Sequence, residues 1–164
     1  MPGTAGYDFA MLLRHLSLLI AIAAATLIAV PSAQAATYAV NTTADAADLL
    51  PSDGICKTAA NTCSLRAAVQ TANAVSGADT VTVPAGTYVL ASGLAVTNSI
   101  TITGAGARQT VVDGPSNMEA IKFTGGSSTM RGLAVANSGV GVIVQDAEAL
   151  LDQIAVRDNS PGFS

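Results

Sequence analysis

Apolar residues in the second half of the chain recur at intervals of 21, and this recurrence restricts the fold more than any other feature. Ile100, Ile121 and Val142 form one series, Ile102, Phe123 and Val144 a second, and Val112, Leu133 and Ile154 a third. Residues two apart point the same way from a strand, so the first two series describe one apolar face. A repeat of this length is one turn of a solenoid, whose apolar side is buried only by stacking on its neighbours. The chain therefore reads as all-β: a right-handed parallel β-helix of about four turns with a period of about 21, its hand following the bias of parallel crossovers. The expected interior is Ile100, Ile102, Val112, Ile121, Phe123, Leu133, Val135, Val142, Val144, Ile154 and Val156. Arg108, Lys122, Arg131, Asp152, Arg157 and Asp158 are expected to face water.

Local signals agree with that architecture. Thr80-Val81-Thr82-Val83 and Thr87-Tyr88-Val89-Leu90 alternate on either side of Pro84-Ala85-Gly86, as two strands around a turn do. Thr37 to Val40 reads as an opening strand, and the polar stretch from Asn41 to Thr62 reads as loop. Leu65, Ala68, Val69 and Ala72 sit at helical spacing behind Ser64, a suitable N-cap, and Asn73 to Gly77 supplies the stop. So short a helix is marginal alone and needs its Leu65/Val69 face packed. It stands where a solenoid requires a cap over its exposed strand edges. No such element follows at the other end, where the chain runs out at Asn159-Ser160-Pro161-Gly162-Phe163-Ser164, and 79–164 reads as a truncated β-helix segment.

Leu16 to Val30 is an almost unbroken apolar run after Arg14 and His15, followed by Ala33-Gln34-Ala35. That is the pattern of a secretory leader with its cut after Ala35, against the alternative of a retained N-terminal anchor. Met11 offers a more ordinary start than Met1. The mature chain from Ala36 has a net charge of −4 and no histidine. A concentrated basic patch is lacking, which argues against nucleic acid as a partner. Membrane contact is expected only through the export signal.

Cys56 and Cys63, the only two cysteines, read as one disulfide in an oxidising compartment. Zinc is the rival, but it wants four ligands and neither a second cysteine pair nor a mature histidine exists. Asp45, Asp48 and Asp53 share one loop beside Gly54 and offer carboxylates to calcium, the single cofactor considered. Their spacing is not that of an EF-hand, and Asx turns explain them equally well. Asp113, Asp146, Asp152 and Asp158 with Arg131 and Arg157 are the groups a β-helix lyase or hydrolase would draw on. Arg131 and Asp152 are 21 apart, so they stack on adjacent turns as a cross-strand ion pair does. No tight carboxylate pair and no nucleophile motif accompany them, so no catalytic residue is assigned.

The run Cys63-Ser64-Leu65-Arg66-Ala67-Ala68, with Cys56 before it and Gln70, Asn73 and Gly77-Ala78-Asp79-Thr80 after it, resembles the CSLREA domain of bacterial exported proteins. The likeness extends from Thr37-Tyr38 through Pro84-Ala85-Gly86-Thr87-Tyr88. It implies a secreted or surface location and an N-terminal module preceding right-handed β-helix repeats. Where the family has Glu, this chain has Ala67, so only the Ser64 half of a capping box remains. Arg66 is retained and reads as an ion-pair partner, with Asp79 the nearest candidate.

The sequence thus divides into a leader (1–35), a CSLREA-type capping region (36–78) and a β-helix segment (79–164). The expected function is a structural or adhesive scaffold, secreted or on the bacterial cell surface or outer membrane, facing surface polysaccharide or another cell-surface protein. The alternative is the N-terminal part of a carbohydrate-active β-helix enzyme whose groove lies on further turns.

Overall fold

The computed structural model describes residues 34–160 and the backbone of 162–163. The apolar leader, His15 and the alternative start at Met11 lie outside the described residues. Among the described residues no helix is long and apolar enough to cross a membrane.

Short alternating segments separated by tight corners can bury one face only by coiling, and the chain does so as a parallel β-solenoid. Strand β1 is Thr37–Ala39, and the helix α1 is Leu65–Ala74. The first coil holds β2 (Asp79–Val83), β3 (Gly86–Val89) and β4 (Leu94–Val96), and the second holds β5 (Ile100–Gly104), β6 (Thr110–Asp113) and β7 (Glu119–Phe123). The third holds β8 (Ser127–Arg131), β9 (Ala134–Ala136) and β10 (Val140–Val144), and the fourth β11 (Glu148–Asp152), β12 (Ala155–Arg157) and β13 (Gly162–Phe163). Corresponding strands stack into three parallel sheets: β1-β2-β5-β8-β11, β3-β6-β9-β12 and β4-β7-β10-β13.

Inward residues form a column on each side. Tyr38, Val81, Ile102, Met130 and Leu151 align in the first sheet, Tyr88, Val112, Val135 and Val156 in the second, and Val96, Phe123 and Val144 in the third. The central members Ile102, Val112, Phe123, Met130 and Val135 are fully buried.

The spacing is 21 from Val81 to Ile102 and from Met130 to Leu151, but 28 from Ile102 to Met130. The second coil is longer because its first corner spans 105–109, where the equivalent corners occupy 84–85 and 132–133, and because its second corner (114–118) and β7 are longer than their counterparts in the first coil. This corrects the expected alignment. Ile100 lies over Asp79 in the first sheet, whereas Ile121 and Val142 align with Leu94 in the third. In a coil of 28, a step of 21 lands on another side of the same turn. That side also alternates apolar residues inward, so the recurrence survives although the column does not. Val144 is a second correction: it is 41% exposed, because β13 pairs with β10 only as far as Val142. Ile154 and Val156, in the last described coil, are half-buried.

The first coil is covered by α1, whose Leu65 and Val69 are buried against the end of the stack. Ser64 caps it as expected, its Oγ accepting from Ala67 N at 3.0 Å. The Cys56–Cys63 disulfide, with Cα atoms 5.2 Å apart, closes the loop in front. Stacking dictates the glycine at 104: a Cβ there would collide with the Gly132 carbonyl oxygen of the coil below.

Candidate functional site

In a strand whose alternate residues fill the core, the intervening ones build the outer face, and in the first sheet six of these are threonines. Thr37, Thr80, Thr101 and Thr129 align in one column, and Thr82 and Thr103 in the next. Strand spacing puts their hydroxyls about 4.8 Å apart across the sheet and about 6.8 Å apart along it. Among the described residues the hydroxyls of Thr80, Thr101 and Thr129 bond to no other group, whereas Thr103 Oγ1 accepts from Arg131 Nε at 3.2 Å. The face ends in Leu150, 63% exposed, on β11. The result is a plate of hydroxyls that can donate and accept, in which Thr82 Oγ1 already donates to the Tyr38 carbonyl at 3.4 Å. Sequence reasoning took Thr80 and Thr82 only as strand formers. The Thr-x-Thr pair at 80/82 returning at 101/103 was the available signal.

The acidic loop residues serve the cap. Asp45 receives Arg66 Nε at 2.7 Å and Nη2 at 2.9 Å, and also the Ala91 amide at 2.8 Å. The same guanidinium donates to the Ser92 and Gly93 carbonyls at the corner between β3 and β4. Arg66 is therefore an interface cation, as expected, but its partner is Asp45 and not Asp79. Asp79 faces inward and is tied to Ala36. Asp48 gathers the amides of Leu50 and Lys57 and the Thr71 hydroxyl, and Asp53 closes an Asx turn on the Ile55 amide. Each carboxylate thus holds its own segment of the cap. The expected calcium set Asp45, Asp48 and Asp53 is not drawn together, and no three acidic or sulfur ligands converge as a metal site among the described residues.

The second acidic set is also dispersed. Arg131 and Asp152 do stack in register, but Arg131 turns to Thr103 and makes no ion pair with Asp152 among the described residues. Asp113 lies on the second sheet, and Asp146 and Asp158 occupy corners with φ of 53° and 56°. Arg157 meets Asp158 at 3.4 Å with both side chains exposed.

No family model, curated protein or solved structure matches the chain. The reading of the surface therefore rests on its own chemistry. A cleft of about 380 Å³ runs between 40–43 and Pro84–Tyr88, but the Tyr88 ring beneath it is 3% exposed. Its hydroxyl is committed to Pro84 O at 3.0 Å, so no aromatic platform faces a sugar there.

Proposed function

We propose that the chain is an exported, non-catalytic β-helix scaffold of the CSLREA type, whose outer threonine plate binds polysaccharide at the bacterial surface. The observation that carries this reading is the plate itself: the unengaged hydroxyls of Thr80, Thr101 and Thr129, held in register on one sheet, suit the repeating hydroxyls of a glycan chain. The CSLREA reading is supported by the disulfide, the Ser64-capped helix and the β-solenoid following in that order. Asp45, Asp48 and Asp53 are engaged within the cap, while Asp113 and Asp152 end strands and Asp146 and Asp158 lie at corners, which favours binding over turnover.

The test is co-sedimentation of the folded protein with cellulose, chitin and peptidoglycan, alongside the Thr80→Val, Thr101→Val, Thr129→Val triple variant. Valine preserves shape and strand preference while removing the hydroxyls. The expected result is retention of the native protein on at least one of these polymers and its loss in the variant. Retention on none of them, or retention unaffected in the variant, overturns the reading. Release of soluble sugar would favour the enzyme instead.

A further inference from the structure

The carboxylate of Asp79 is only half satisfied. Asp79 opens β2, points into the stack above Ile100 and is fully buried. Its Oδ1 accepts from the Ala36 nitrogen at 2.7 Å. Its Oδ2 is buried and has no hydrogen-bond partner among the described residues. A buried carboxylate oxygen without a donor is costly, and native folds rarely keep one. The Ala36 nitrogen, as a peptide amide, has a single hydrogen and has already given it to Oδ1. The same nitrogen as an α-ammonium would carry three hydrogens and a positive charge, and could serve both oxygens of Asp79.

Two further observations agree with a chain end at this atom. Gln34 and Ala35 are exposed while Ala36 is half-buried, and the Ala36 carbonyl accepts from the Thr80 amide at 2.8 Å. Ala36 is thus the first described residue whose carbonyl joins the first sheet's ladder. Ala33-Gln34-Ala35 in front of it is the small-x-small pattern read by leader peptidases.

We propose that hydrolysis of the Ala35–Ala36 bond frees an α-ammonium that seats on Asp79 as a buried ion pair, locking β1 onto the first coil. The inference rests on the export reading above. Water's oxygen adds to the Ala35 carbonyl carbon, the C–N bond breaks, and the Ala36 nitrogen leaves with a proton as an amine that is protonated at neutral pH. Processing then completes the fold, because the uncleaved chain leaves Asp79 Oδ2 without a donor.

The test compares chains starting at Ala36, released by a protease that leaves no extra residue, with chains starting at Ala35, each with Asp79 or Asp79→Asn. The Ala36-start chain is expected to melt several degrees higher, and Asp79→Asn to abolish the difference. Equal melting points, or a difference that survives Asp79→Asn, overturn the proposal. Should Asp79→Asn not fold, acylation of the Ala36 amine at neutral pH gives the second readout. An ion-paired ammonium holds its proton, so the native chain should react about tenfold more slowly than the same chain in urea, and equal rates overturn the proposal. Mass spectrometry of the exported protein should find Ala36 first. A protein retained in the cell with its leader would sink the export reading, while the melting comparison judges the ion pair separately.

Discussion

Arg66 grips Asp45 through two nitrogens, at 2.7 and 2.9 Å, and the pair bridges the capping loop to the first coil. Both side chains are largely enclosed, at 15% and 10% exposure. Removing the cation leaves a shielded carboxylate with only the Ala91 amide as donor, and deprives the Ser92 and Gly93 carbonyls of the guanidinium. Arg66→Ala is expected to cost about 2–3 kcal/mol, read from urea unfolding. A cost below about 0.5 kcal/mol, the range of exposed pairs, would show that the bridge carries little.

The disulfide spans only seven positions, so its constraint on the unfolded chain is modest. Replacing both cysteines by alanine should lower stability by about 2 kcal/mol, measured in the same way. The β-solenoid's strand signature in circular dichroism should remain, because Cys63, although buried, and Cys56 lie outside every strand.

Phe123 and Val144 occupy one column yet differ in exposure, at 0% and 41%. Phe123→Ala is expected to cost about 3–5 kcal/mol, while Val144→Ala should stay within about 0.5 kcal/mol. Similar costs at both positions would mean that the end of the third sheet is as well packed as its middle.

Gly104→Ala pushes a methyl group against the carbonyl of Gly132 and forces two coils apart. A loss of about 1–3 kcal/mol is expected, with a lowered melting temperature as the measure. An unchanged melting point would show that the corner yields freely.

Burial raises the phenols of Tyr38 and Tyr88 above their ordinary value of 10.0, with Asp79 and Asp53 adding to the effect at Tyr38. The folded state therefore holds these protons more tightly than the unfolded state. Their stabilising contribution is complete below pH 10 and disappears as the pH rises through the folded-state values. Melting temperatures should be level in this respect up to about pH 9 and fall beyond about pH 10. Tyr38→Phe with Tyr88→Phe should flatten that decline.

The β-solenoid, the Ser64 cap, the helix and the disulfide were all legible, because each depends on contacts local in sequence or on a repeated pattern. The column membership of Ile100 was not. A fixed lag cannot distinguish a residue one coil below from one on the next side of a longer coil, and only hydrogen-bond register separates them. Arg66 was legible as an ion-pair former, but not its partner: the fold of the polar loop brings Asp45 across, while Asp79 turns inward to Ala36. The threonine plate escaped notice because threonine at outward positions is ordinary strand composition. Its significance comes from alignment over coils of unequal length.

That unequal length bears on how such a fold diversifies. The stretch at 105–109 bulges out while Ile102 and Val112 still meet Met130 and Val135 below. Length can thus be absorbed where the chain turns while the inward columns keep their register. Foreign peptides grafted between Ala105 and Gln109 would be displayed at the rim, and variation among sister sequences should concentrate there.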